Sequence, residues 1–281
     1  MQPEHEFEKQ VWSYYQAHGR HDLPWRLPDA AGVFDPYAIM VSEIMLQQTQ
    51  VARVIPKYQQ FLELFPSVEV LAGAPLAEVL KAWSGLGYNR RAKFLWQAAQ
   101  YVRDQFQGAF PQTVGELVQL PGIGKNTAGA IAAYAFDRPV TYIETNIRTV
   151  IIHHFFADRD DISDKELEPI LAASIDELVQ GSYPEHTPRT WYWALMDYGT
   201  FLKQTVGNLN RQSKTYAKQS KFEGSLRQIR GHVLRLLADA PLTETQIAAE
   251  ITDKRLASVL TALCRESIIS CKDERYHLGV A

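Results

Sequence analysis

Only two cysteines, Cys264 and Cys271, occur among the 281 residues. Two thiols cannot build a disulfide framework, a four-thiolate iron–sulfur site or a cysteine-only zinc site, so neither cluster nor metal is expected. Long hydrophobic runs are also missing. No stretch approaches the roughly 18 uncharged apolar residues of a spanning helix, and the first ten residues hold three glutamates and no apolar run. A cytoplasmic chain that does not enter a membrane is the expectation. The strict apolar–polar alternation of half-buried strands is nearly absent, and no internal repeat or low-complexity tract is found. Hydrophobic residues make up 46% of the chain, enough for a sizeable core in one large domain or two ordinary ones.

What the sequence does have is helical periodicity. Val41, Ile44 and Met45 in the segment from Tyr37 to Leu64 set the pattern, and about ten short helices are expected up to Lys203. Prolines punctuate them at 36, 56, 66, 75, 111, 121, 139, 169 and 188, positions that suit first turns and connecting loops. The polar stretch from 205 to 224 carries no apolar periodicity and reads as a basic linker or extended arm. Beyond it, Leu226 to Leu237 predicts an amphipathic helix, the Thr243–Gln246 box caps a second, and Asp253 caps a third that runs to Cys264 or Arg265. A short hairpin turning at Lys272, Asp273 and Glu274 follows. Three helices and a hairpin suggest a winged-helix-like unit, either a DNA reader through its third helix or a protein-contact or packing module. The expected organisation is therefore a helical body over 1–204, a linker over 205–224 and the small unit over 225–281.

Charge is unevenly spread. From Lys203 to Arg235 eight cations face a single acid, a net +7, which leaves −10 for the rest of a chain whose total is −3. Such a segment suits a surface facing a polyanion, or a solvated linker charged for solubility.

The run Leu120-Pro121-Gly122-Ile123-Gly124-Lys125-Asn126-Thr127-Ala128 lies between two helical patterns. Glycines at 122 and 124 allow a sharp turn and close approach of the backbone to a phosphate. Free N–H groups at the next helix start attract the anion, and Lys125 adds charge. Ile123 would plug the hairpin into the core. The spacing is not that of a nucleotide P-loop.

Together with the Glu144 segment, Leu23-Pro24-Trp25-Arg26, the run from Ser42 to Val51 and Gly85-Leu86-Gly87-Tyr88, this hairpin resembles the MutY family of adenine DNA glycosylases, within the helix-hairpin-helix glycosylases. The resemblance covers about residues 5 to 203. It implies an all-α helix-hairpin-helix body that excises a mispaired base, adenine first, from double-stranded DNA in base excision repair. A monomer without membrane contact is expected.

Breaking an N-glycosidic bond requires protonation of the leaving base and stabilisation of a cationic sugar. Glu43, on an apolar helix where desolvation favours its neutral form, is either an exposed helix carboxylate or, by the resemblance, the acid that protonates the base. Glu144 is either a helix cap or the group stabilising the sugar; the family has an aspartate here, and the extra methylene moves the carboxylate by about a bond length. Asn146 keeps the family's amide and would hold Glu144 or a backbone phosphate. The resemblance places Gln47, Gln48 and Tyr88 in the DNA stack and Arg26 and Asp197 against the target base; their ordinary alternatives are surface polar, loop and ionic residues. Strand-cutting relatives such as endonuclease III carry a lysine where this chain has Asn126, so a monofunctional glycosylase is implied, with Asn126 either structural or in contact with the flipped base. The family's tryptophan shortly after Arg26, its four-cysteine iron–sulfur loop and its larger 8-oxoguanine-recognising domain have no counterpart. A glycosylase for another mismatched or damaged base, or a non-catalytic mismatch binder, stays open beside adenine excision.

Overall fold

The computed structural model describes residues 3–181, 186–218 and 221–279, so positions 219 and 220 of the expected linker lie outside the described residues. Helices α1 (Pro3–His18), α2 (Pro36–Leu46), α3 (Val51–Leu64), α4 (Val68–Gly73), α5 (Leu76–Ala82) and α6 (Arg90–Phe106) open the chain. Next come α7 (Val114–Leu117), α8 (Lys125–Phe136), α9 (Thr145–Phe155), α10 (Asp164–Gln180) and α11 (Pro188–Thr205). The remainder holds α12 (Leu226–Asp239), β1 (Leu242–Thr243), α13 (Glu244–Glu250), α14 (Leu256–Arg265), β2 (Ile269–Lys272) and β3 (Arg275–Leu278). Among the described residues the body is helical, with strands only in a small C-terminal sheet.

Most of the punctuating prolines lie at helix starts or in connecting loops, but not all. Pro36 and Pro188 open α2 and α11, and Pro75 precedes α5. Pro56 and Pro169 instead lie inside α3 and α10. Each is exposed, as are Ala52 and Lys165 one turn earlier. The carbonyls that lose an N–H partner are therefore on a wet face, which lowers the cost of an interior proline.

By internal contacts the chain divides into two compact units. The first comprises Met1–Met40, Gln112–Val118 and Gly124–Lys218. Its α8 is buried from Ala128 to Ala135, an alanine-rich helix thin enough for close packing; a Cβ on Gly129 would stand 2.7 Å from that of Tyr142. Helix α11, opened by a Thr187–Thr190 capping box, packs against α9, α1 and α8. Trp191 and Tyr192 are fully buried there. At the α9–α11 crossing a Cβ on Gly199 would meet the Asn146 carbonyl oxygen at 2.4 Å, so only glycine allows this approach.

The first half of the expected linker is ordered, a departure from a free arm. Leu209–Gln212 forms a 3-10 turn. Asn210 at 2% exposure donates to the Thr149 hydroxyl at 2.7 Å and the Thr145 carbonyl at 3.1 Å. Ser213 bridges to Ile162. One buried amide with partners on α9 gives this polar stretch a reason to fold that its hydropathy does not reveal.

The second unit comprises Val41–Pro111, Gln119–Ile123 and Gln219–Ala281. Trp83, Phe61, Leu71 and Leu95 fill its core where α4 and α5 pack on α6. The C-terminal elements follow winged-helix order, with an antiparallel sheet in the order β1-β3-β2. In register, Cys271 faces Tyr276 and Lys272 faces Arg275. Asp273 and Glu274 form the tight turn at φ 50° and 60°, as two-residue hairpins require. Thr243 and Gln246 form the expected capping box on α13. Asp253 differs: it accepts the Arg255 N–H at 2.9 Å in a turn ahead of α14, which begins at Leu256 without a side-chain cap. Helix α12 packs against α14, β3 and α5.

Candidate active site and neighbouring loops

Of the residues singled out in the sequence, Arg26, Gly124, Lys125, Asn126, Glu144, Asn146 and Asp197 belong to the first unit, and Glu43, Gln47, Gln48, Tyr88 and Gly122 to the second.

In the first unit Glu144 is the N-cap of α9. Its Oε1 accepts the N–H of Asn146 at 2.5 Å and of Ile147 at 3.0 Å. Burial raises its carboxyl above the ordinary range, opposed by Lys203, by these two N–H groups and by Arg148. Lys203 Nζ donates to Asn146 Oδ1 at 2.7 Å, and its ammonium is itself shifted down by burial, against the pull of Glu144. Cap and half-buried acid are thus the same group: the helix N-terminus that orients the carboxylate also favours its negative charge. Asn126 Nδ2 donates to the carbonyl of Ile143 at 2.7 Å, one residue before Glu144. Gly124 caps α8 with open space beside its Cα, and Lys125 is exposed at the helix start.

Arg26 and Asp197 are not surface ions. At 6% and 3% exposure they face each other in a two-pronged pair, with NH1–Oδ2 at 2.8 Å and NH2–Oδ1 at 2.9 Å. Arg20 adds its backbone N–H and Nε, each at 2.7 Å. Burial raises the Asp197 carboxyl, but the two arginines outweigh it and hold the group below its usual value. Arg20 was not anticipated; a cation four residues before Pro24 gives no sequence signal of a partner so far along the chain.

In the second unit Glu43 is half-buried on α2, between Ser42 at 1% and Ile44 at 2% exposure. The two loops expected to enter DNA share a backbone property. Gln48 and Tyr88 both adopt left-handed conformations, φ 55° and 48°, which non-glycine residues keep only where their surroundings impose them. Arg91 imposes them. At 9% exposure its guanidinium donates to the carbonyls of Ile44, Met45 and Gln47 at 2.8, 2.9 and 2.6 Å, and to those of Leu86 and Gly87, both at 3.1 Å. One buried cation therefore ties the orphan carbonyls at the end of α2 to the Gly85–Tyr88 loop. Burial lowers its pKa to about 10. Sequence reasoning missed Arg91, although it stands four residues before Leu95 on the buried stripe of α6, where a charge calls for partners. In the hairpin Ile123 is buried as expected, and Gly122 sits at φ 78° where a Cβ would stand 2.5 Å from that of Phe94.

Four thiolates are not available for an iron–sulfur cluster: Cys264 lies on α14 and Cys271 on β2. Among the described residues no group of three or more His, Cys, Asp or Glu could hold a metal ion, and no helix is long and apolar enough to cross a membrane.

The fold and these sites define a helix-hairpin-helix protein of DNA repair: residues 41–176 match the model of the HhH-GPD superfamily of base excision DNA repair proteins. The chain is 33% identical to an adenine DNA glycosylase of Mycolicibacterium smegmatis over 255 residues, 85% of this chain and 83% of that protein. It is 32% identical to an adenine DNA glycosylase of a Buchnera aphidicola strain over 234 residues, 81% of this chain and 63% of the relative, so it spans just under two thirds of that protein. Among solved structures, a thermostable thymine-DNA glycosylase shares the fold with a TM-score of 0.57 at 24% identity, covering 70% of this chain and 86% of that one. The chain belongs to the adenine DNA glycosylase family.

Proposed function

We propose that this protein is a monofunctional DNA N-glycosylase of base excision repair that removes mispaired adenine from double-stranded DNA and leaves an abasic site. The observation that carries the reading is the setting of Glu144, a carboxylate with raised pKa aimed by two backbone N–H groups at the start of α9 and balanced by Lys203. In this reading Glu43 delivers a proton to the departing base. The C1′–N bond breaks with its electron pair going to the base, and the Glu144 carboxylate stabilises the sugar cation. Water then adds to C1′ and returns a proton to the Glu43 carboxylate, closing the balance.

Asn126 supports the monofunctional assignment. Strand cutting through a Schiff base needs an amine nucleophile; here an amide stands in that place, engaged with the Ile143 carbonyl. Gly122, Gly124 and Lys125 serve a phosphate, and Gln47, Gln48 and Tyr88 enter the stack opened by extruding the nucleotide. Asn146 acts through Glu144, positioning it. Arg26 and Asp197, spent on each other, build a wall of the base pocket.

The test is single-turnover incubation with duplexes carrying adenine, thymine, uracil or a damaged base opposite guanine or 8-oxoguanine, with abasic sites revealed by alkali. Adenine excision is expected, lost in Glu43→Gln. Tight binding with no excision of any base would sink the enzyme reading in favour of a mismatch binder. Excision of another base alone would overturn adenine as the target, and strand cutting without alkali would overturn the monofunctional assignment.

A further inference from the structure

Two adjoining cavities of about 450 and 490 Å3 lie in the second unit and share Gln48, Gly87, Tyr88, Asn89, Arg227 and Gly231. One wall is the pair of loops held by Arg91. The other is α12, the first helix of the C-terminal module. Arg227, Gly231, Leu234, Arg235 and Ala238 recur at helical spacing along this wall; Leu234 is buried, as are Ile229, Val233 and Leu237.

The lining of the two cavities includes seven cations and no carboxylate. Three of them are engaged locally. Arg91 is the loop clamp, and Arg230 and Arg90 face Glu266 at 2.5 and 3.9 Å. The other four, Arg53 and Lys81 on one wall and Arg227 and Arg235 on α12, face the larger cavity. Arg53, Lys81 and Arg235 are exposed and form no ion pair among the described residues. Aromatic faces stand among these charges. Arg227 lies 5.0 Å from the centre of the Tyr88 ring and donates to its hydroxyl, and Phe222 is 57% exposed on the same lining. Unneutralised cations beside one exposed ring, Phe222, and one half-buried ring, Tyr88, are the chemistry that holds a phosphodiester backbone with unstacked bases.

We infer that this cleft is a second DNA-binding surface, in which α12 of the C-terminal module, rather than its third helix α14, grips the phosphate backbone beside the Gln48 and Tyr88 loops. Arg53, Lys81 and Arg235 take phosphates, and Arg227 links the grip to Tyr88. Helix α14 offers less. Its apolar face is buried, and Arg255 at its start is paired with Asp253 at 2.7 Å. The basic tract found in the sequence thus has a specific use: Arg227 and Arg235 are its C-terminal members, set opposite cations that come from α3 and α5. The inference rests on the reading of the protein as one that acts on DNA.

The salt dependence of binding tests it, because each phosphate contact adds about 0.9 to the slope of log affinity against log salt. Binding of the whole protein to a short adenine-mismatched duplex is measured by fluorescence anisotropy across potassium chloride concentrations. The variants are the triple change Arg53→Ala, Lys81→Ala, Arg235→Ala and, separately, Lys254→Ala just ahead of α14. Thermal unfolding of each confirms that these exposed substitutions leave the fold in place. The slope is expected to fall in magnitude by about 2 to 3 in the triple variant and to be unchanged in Lys254→Ala. An unchanged slope in a folded triple variant, or a fall in Lys254→Ala alone, overturns the inference and leaves the DNA reading standing. Wild-type protein that shows no salt-dependent affinity for the duplex overturns the DNA reading itself.

Discussion

Lys203 on α11 donates its ammonium to the side chain of Asn146 at 2.7 Å, and Asn146 gives its backbone N–H to the Glu144 carboxylate at 2.5 Å. The cation therefore acts on Glu144 in two ways. It lowers the carboxyl pKa through space, and it fixes the residue whose N–H aims the carboxylate. Burial pushes in the opposite direction and wins, so Glu144 ionises above the ordinary carboxylate range.

The sign of a Lys203→Met change follows. In the proposed reaction Glu144 must be negative to stabilise a sugar cation, so the rate should fall on the acid side as it protonates. Removing the lysine takes away a charge that lowers its pKa, and the acid limb of the single-turnover pH profile should move to higher pH. Rates well above that limb should fall less than those near it. An acid limb that stays in place in the variant separates Glu144 from the chemistry.

Arg91→Ala should destabilise the protein by about 2 kcal/mol or more, because each buried acceptor left without its donor costs roughly 1–3 kcal/mol. Five carbonyls use this guanidinium. The change should also release Gln48 and Tyr88 from their left-handed backbone and weaken DNA binding beyond the loss of one charge. Arg91→Lys should rescue neither effect, since an ammonium cannot span both loops. Denaturant midpoints and anisotropy titrations of the two variants check this, and full stability in Arg91→Ala would show that the clamp is dispensable.

What the sequence disclosed was local. Helical periodicity, the glycines of the 122–124 hairpin, the Thr243 capping box and the turn at Asp273 and Glu274 all involve residues within a few positions of each other, where spacing alone dictates geometry. What it hid was long-range pairing. Arg26 and Asp197 are 171 positions apart, and each alone reads as a surface ion. Asn210 anchors a stretch whose composition suggests a loose arm, because one amide meeting partners on α9 outweighs a polar neighbourhood. Strand β1 is two residues long and exists only because β3 offers an edge. Glu144 was legible as a helix N-cap, while its electrostatic tie to Lys203, 59 positions on, needed the α9–α11 crossing.

Asp197→Asn should cost about 3–5 kcal/mol near neutral pH, since it leaves the buried Arg26 guanidinium without its counter-charge. The Asp197 pKa is depressed in the folded state. Its stabilising contribution is therefore complete above the unfolded value near 3.8 and is lost as pH falls through the lower folded value. The stability gap between wild type and variant should accordingly be wide at neutral pH and narrow only under acid conditions below the ordinary carboxylate range. Urea midpoints across pH measure it. A gap that closes nearer neutrality would assign the linkage to a different group.

Gly199→Ala tests the crossing that brings these groups together. Its Cβ would stand 2.4 Å from the Asn146 carbonyl oxygen and 2.8 Å from the carbonyl carbon, both backbone atoms that cannot rotate away. Helices α9 and α11 must separate to admit it, at a cost of about 1–3 kcal/mol typical of overpacking. The separation acts on the bond between Lys203 and Asn146, so excision should slow more than the lost stability explains under conditions where the variant is fully folded. Gly115→Ala serves as the control, because a Cβ there meets nothing within 4 Å. If Gly199→Ala lowers the melting temperature but retains the wild-type rate while folded, the crossing supports the fold without setting the geometry of Glu144.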